Sequence, residues 1–309
     1  MKYESKIYLG YNKIISEYES PSDVPKNLDF IGARKIWDKT QGEGNIIAVI
    51  DSGVDKTHPA LKNSIFDGYN FTNDDNGKPN IYNDYNGHGT HVAGIISSNN
   101  SKQGIMGIAP KSKLLILKVI DKQGSGNYNC LINAINYAIN WEGPKGEKVN
   151  VINMSLGGTE PNEELHKVIK EARSRGIVLI AAAGNNGDGD SKTFEIVYPG
   201  FYEEVIQVGS IKKNGSPSSF SNTNVNLDFV APGENIMSTH LNGKYVKLSG
   251  TSMAAPFVSG AVALILNIID RSNPKLVPYL VYQYLLDNAR YLDHSIYHVG
   301  NGLIQLPSG

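Results

Sequence analysis

The chain has 309 residues, 40% of them apolar, and a formal net charge of −1. That size and apolar share fit one large globular domain, since no Pro-, Ser- or charge-rich linker divides the sequence. The balanced charge gives no reason to expect nucleic acid or an anionic membrane as a partner, and a single cysteine, Cys130, excludes an internal disulfide and agrees with a reducing compartment.

In chain order, Met1 to Lys6 leads into a broken apolar stretch containing Asn12 and Lys13. This is not a continuous apolar segment with a small-residue cleavage site, so a cytoplasmic protein is expected. Apolar runs such as Val178 to Ala183 and Ala261 to Leu266 are far shorter than the ~20 residues of a membrane helix. Ile46 to Ile50, Leu114 to Val119, Val149 to Asn153, Ile177 to Ala182 and Val205 to Val208 read as strands buried on both faces. Helices are expected at Gly89 to Ser97, Asn127 to Trp141 and Asn162 to Arg175, the second placing Leu131, Ile132, Ile135 and Ile139 close to one face. A last helix, Met253 to Ile269, is hydrophobic nearly all round and should be buried. The alternation predicts an α/β fold, a three-layer α/β/α sandwich with a mostly parallel central sheet.

Three separated stretches carry the side chains of a covalent hydrolase: Val49-Ile50-Asp51-Ser52-Gly53, Asn86-Gly87-His88-Gly89-Thr90-His91 and Gly250-Thr251-Ser252-Met253-Ala254-Ala255-Pro256. A hydroxyl is a poor nucleophile at neutral pH; it needs a base, and the base needs a fixed tautomer and a stabiliser for its charge. Ser252, His88 and Asp51 fill those roles. Ser252 stands at a helix start, where outward backbone N–H groups favour developing negative charge, and Asp51 ends a strand, the usual place for a site in an open α/β sheet.

These motifs, in the order Asp, His, Ser, resemble the subtilisin family of serine proteases from about Val24 to Asn301. Val151 to Gly158, Ala181 to Gly187 and Val230 to Gly233 are similar to further family signatures in family order. A closer resemblance, to the intracellular subtilisins of spore-forming bacteria, rests on Trp141-Glu142-Gly143-Pro144-Lys145-Gly146-Glu147, Gly184-Asn185-Asn186-Gly187-Asp188-Gly189 and Asn222-Thr223-Asn224. The resemblance implies an endopeptidase acting on protein or peptide substrates through an acyl-enzyme, with no cofactor for catalysis and a homodimer as its assembly. The rivals are a processing protease dedicated to one partner, as in sporulation or germination, and a peptide binder that does not cut.

The resemblance also assigns residues. His88 is the base and His91 a packed core residue; Asn185 donates to the oxyanion with the Ser252 N–H. Gly124, Ser125 and Gly126 on one side and Ser155, Leu156 and Gly157 on the other are expected to sandwich an extended peptide. Tyr128, Leu131, Leu156 and Leu165 would wall an apolar pocket for the side chain four residues before the cut. Ala183, Gly184 and Ser155 to Gly157 would line the primary pocket, with Val197 at its floor where many relatives have glycine and Asn186 where they often have glutamate. A tight calcium site is doubtful, because Ala60 and Ser101 replace two ligands; a weaker structural calcium would use Asp228 and the carbonyls of Gly200, Tyr202 and Val205. Residues 1 to 20 form an N-terminal inhibitory extension before a catalytic domain of residues 21 to 309. They are expected to act as a strap, with Tyr8-Leu9-Gly10-Tyr11 carrying glycine where the relatives have proline.

Overall fold

The computed structural model describes residues 6–10, 14–18, 27–100 and 105–307. Two short strands come first, β1 (Lys6–Tyr8) and β2 (Ser16–Tyr18). Then follow β3 (Ile46–Asp51), β4 (Ile65–Asn70), helix α1 (His88–Ser97), β5 (Lys113–Lys118), β6 (Ser125–Asn127), α2 (Tyr128–Asn140) and β7 (Val149–Met154). The chain continues with α3 (Glu163–Ser174), β8 (Val178–Ala182), β9 (Ile206–Ile211), β10 (Phe229–Pro232), β11 (Ile236–Thr239), β12 (Tyr245–Leu248), α4 (Thr251–Ile265) and α5 (Val277–Asn288).

The central sheet has seven strands in the order β10-β9-β8-β7-β3-β5-β4, every pair of them parallel. Its middle strands are continuous apolar runs because both faces are covered. Ile47 and Val49 join Leu114, Ile116 and Val151 in the core under α1 and α4. Ile46, Ala48 and Ile50 join Leu115, Leu117 and Ile152 in the core under α2 and α3. That is the three-layer sandwich the sequence predicts. Asn127 and Asn162 start α2 and α3 as caps, each accepting a backbone N–H through its side chain. Among the described residues no helix is long and apolar enough to cross a membrane.

The structure departs from the sequence reading at the margins. β4, with its half-exposed Ile65-Phe66-Asp67 start, and the hairpin β11–β12 carry no continuous apolar run, and neither was expected from periodicity. Helix α4 begins at Thr251 and ends at Ile265, earlier than the expected Ile269; beyond it, Asn267 turns its amide to the Glu43 carbonyl at 3.0 Å.

Candidate active site

The carboxyl ends of β3, β7 and β8 meet the starts of α1 and α4, so the sheet gathers Asp51, His88, Asn185 and Ser252 at one edge. Asp51 is fully buried; its Oδ1 accepts the Ser52 N–H at 2.7 Å and lies 2.8 Å from His88 Nδ1. The same carboxylate oxygen therefore fixes the imidazole ring and its Nδ1–H tautomer. His88 can come this close because Gly89 follows it: a Cβ there would overlap the Gly53 carbonyl. His88 Nε2 is buried without a hydrogen-bond partner among the described residues. His91, one turn on, points the other way, its Nε2 3.0 Å from the Ile236 carbonyl and 3.2 Å from that of Val246. Burial holds its pKa down at about 3, so it is a neutral core group.

Ser252 lies in the first turn of α4 and donates through Oγ to the Ser155 carbonyl at 3.1 Å. Pro256 stands four residues on and has no N–H for the Ser252 carbonyl; the Ser155 hydroxyl takes that acceptor at 3.0 Å. These two bonds tie the nucleophile's turn to the end of β7. Asn185 is fixed through its Oδ1, which accepts the Thr251 N–H at 2.8 Å and the Thr251 hydroxyl at 2.9 Å. With the oxygen held, the amide Nδ2 is turned toward the cleft, where a Cβ on Gly10 would overlap it.

Residues 6–10 lie in that cleft. β1 pairs antiparallel with β6, Lys6 opposite Asn127, Ile7 opposite Gly126 and Tyr8 opposite Ser125. On its other edge Tyr8 exchanges both backbone hydrogen bonds with Gly157, at 2.9 and 3.1 Å. The segment is thus the middle strand between the two stretches expected to hold a peptide. Gly124 itself sits in the turn before β6, with a left-handed φ of 80°. Ile7 is fully buried and packs in one cluster with Tyr128, Leu131, Leu156 and Leu165, which are the four expected pocket walls. β2 continues the extension on another element: it pairs antiparallel with β12.

Beside Gly10 a pocket of about 280 Å³ is lined by Leu156, Gly157, Ala182, Gly184, Asn186 and Val197, among others. Val197 reaches between its walls: a Cβ on Gly157 would overlap one of its methyls, and a Cβ on Gly184 would lie 2.9 Å from the other. Ala183 does not line this pocket and its neighbour Ala182 does, although both belong to the core under α4.

At the expected calcium position, Asp228 Oδ2 accepts the Gln207 N–H at 2.7 Å and Oδ1 accepts the Tyr282 hydroxyl at 2.9 Å. Burial pushes this carboxyl up to about 6. The Tyr202 carbonyl accepts the Val205 N–H at 2.9 Å. A hard cation wants roughly six or more oxygens. Gly200, Tyr202, Val205 and Asp228 bring one carboxylate, already hydrogen-bonded at both oxygens, and among the described residues no group of three His, Cys, Asp or Glu could hold a metal. The donor set fits calcium poorly. Of the tighter site, Ala60 is buried and Ser101 lies outside the described residues, as does Tyr11 of the strap.

Sequence reasoning missed Asp84. Its Oδ1 accepts the N–H groups of Asn86 and Gly87 and the Ser52 hydroxyl, and its Oδ2 accepts the N–H and hydroxyl of Thr90. The Ser52 hydroxyl oxygen in turn accepts the Gly89 N–H at 2.9 Å. One carboxylate thus binds the loop that delivers His88 to the residue after Asp51. The only signal in sequence was a carboxylate ahead of a helix without its own apolar run, which reads equally as a cap.

The subtilase family model matches residues 42–302. The chain is 45% identical over 304 residues to the intracellular serine protease of Paenibacillus polymyxa, covering 98% of this chain and 91% of that protein. It is 47% identical over 288 residues to the major intracellular serine protease of Bacillus subtilis (strain 168), covering 92% and 88%. Subtilisin E of the same strain is 39% identical over 303 residues, 98% of this chain and 74% of that protein.

Proposed function

The chain belongs to the subtilase family, and on that premise we propose how it cuts and how it is restrained. It is an intracellular serine endopeptidase. A rotation about the Ser252 Cα–Cβ bond takes the hydroxyl from the Ser155 carbonyl to His88 Nε2, the buried ring nitrogen without a partner among the described residues. Ser252 Oγ then attacks the scissile carbonyl as His88 takes its proton. Asp51 holds the Nδ1–H and stabilises the imidazolium, and the tetrahedral oxyanion receives hydrogen bonds from Asn185 Nδ2 and the Ser252 N–H. His88 returns the proton to the leaving amine, and water repeats the sequence on the acyl-enzyme.

The observation that carries this reading is the run of residues 6–10. Paired on both edges, with Ile7 in the same apolar cluster as the expected pocket walls and Gly10 against Asn185, the protein's own chain lies where a substrate would lie. It lies there in an unproductive way. In this pose a side chain at position 10 would strike the Asn185 amide instead of entering the primary pocket. Glycine at that place lets the backbone crowd the oxyanion donor, which supports restraint by residues 1 to 20. A fluorophosphonate probe tests both parts: it should label Ser252 slowly in the full-length protein and faster with Ile7→Asp. Labelling absent even after long exposure of either form would sink the nucleophile assignment.

A further inference from the structure

The extension does not end at the cleft. β2 runs antiparallel to β12, with Ser16 opposite Lys247, Glu17 opposite Val246 and Tyr18 opposite Tyr245. The Ile15 N–H donates to the Lys247 carbonyl at 3.1 Å. Glu17 Oε1 meets Lys244 Nζ at 2.8 Å, and Lys247 Nζ stands 5.5 Å over the Tyr18 ring. On its other edge β12 pairs with β11, so β2 completes a three-stranded sheet and occupies an edge that any extended backbone could use. β12 also runs directly into Gly250, Thr251 and Ser252, so this edge is continuous with the catalytic turn.

From this arrangement we infer that the outer edge of β12 is a distal substrate subsite, one that takes extended polypeptide on the leaving-group side of the cut. The inference rests on the catalytic reading above. A substrate aligned like the strap, with its backbone paired to Gly157 where Tyr8 is paired, is cut after the residue at the position of Gly10. Ile14 to Tyr18 then correspond to the fourth to eighth residues beyond the cut. Covalent geometry keeps the two sites close, since the four steps from Gly10 to Ile14 span at most about 14 Å. Backbone pairing gives affinity without regard to sequence. The Lys244 ammonium adds selectivity at one place, the seventh residue beyond the cut, where it favours an acidic side chain as it favours Glu17. In the resting chain the strap fills both the cleft and this edge. Once the strap is displaced, the edge opens to unfolded or extended proteins and gives short peptides nothing.

The test uses the full-length chain with Ile7→Asp and Ser16→Pro, which loosen the strap at both contacts, and two quenched fluorescent peptides. The peptides share all residues up to the third beyond the cut; one stops there, and the other runs to the eighth with Glu at the seventh. The longer peptide should show kcat/KM higher by about five- to tenfold, through KM, as expected for a few backbone bonds and one exposed ion pair. Lys244→Glu should bring the ratio of long to short toward one, and Lys at the seventh position should restore it. Equal kcat/KM for the two peptides overturns the distal subsite alone. A chain that cuts neither overturns the catalytic reading and this inference together.

Discussion

The floor of the cleft and its walls are held in different ways. The floor is built from side chains that, apart from the half-buried Asn185, are buried in the core: Asp51 against His88, Asp84 against the loop before α1, Asn185 against Thr251, Ser155 against the turn of Ser252. None of these bonds involves the strap. The walls, by contrast, are backbone edges and apolar side chains whose partner is the strap, through β1, Ile7 and Gly157. A change in the floor should therefore alter chemistry and leave docking intact, and a change in the walls should alter occupancy and leave chemistry intact.

Ser252→Ala gives the sharpest separation. Turnover should fall by about a million-fold, the magnitude measured in this family for loss of the nucleophile, while peptide affinity stays within a few-fold of the parent. Calorimetric titration beside a turnover assay checks both, and near wild-type proteolysis from a contaminant-free preparation would break the separation at once.

The two histidines of α1 refine it within the floor. His88 acts on turnover, as the group that takes the Ser252 proton. His91 acts on stability. Its pKa is about 3 in the fold against an ordinary value of 6.5, so between those values the unfolded chain binds the extra proton. Stability should then drop as pH falls through that window, by up to about tenfold in the folding equilibrium per pH unit. Urea unfolding of the parent and of His91→Asn at pH 7 and pH 4.5 reads this; an identical pH dependence in both would show that His91 is not held neutral.

Ile7→Asp moves only the walls. It places a charge in the apolar cluster that holds Tyr128, Leu131, Leu156 and Leu165, and the lost burial of an isoleucine is worth ~2 kcal/mol, roughly thirtyfold in strap occupancy. Initial activity of the full-length chain should rise accordingly, with kcat on a saturating peptide unchanged. A fall in that kcat would mean that floor and walls are coupled.

Val197→Gly has the smallest expected effect. Removing the two methyls that stand between Gly157 and Gly184 should deepen the primary pocket and raise kcat/KM for Phe or Tyr before the cut relative to Ala by several-fold, at ~1 kcal/mol for each methylene newly seated. A peptide-library profile that already favours Phe or Tyr in the parent and does not shift in the variant would place the pocket floor elsewhere.

Sequence alone singled out what depends on residue type and on burial along the chain. Continuous apolar strands have one explanation, a sheet covered on both sides, and Asp51, His88 and Ser252 stand in motifs whose chemistry depends on residue type. The tertiary structure decided what depends on which group points where. His88 and His91 are the same residue three positions apart; the resemblance alone tells base from core in the sequence, and the fold supplies the physical difference, a carboxylate beside one and two carbonyls beside the other. Asp84 drew no reading from the sequence, and its five donors converge on it only in the fold. Gly10 looked like a weakened strap residue until Asn185 was found where its side chain would be. β2 had no apolar signal, because an edge strand is held by its neighbour's backbone, and backbone groups are the same at every residue. Periodicity records burial; pairing across the fold leaves no mark in it.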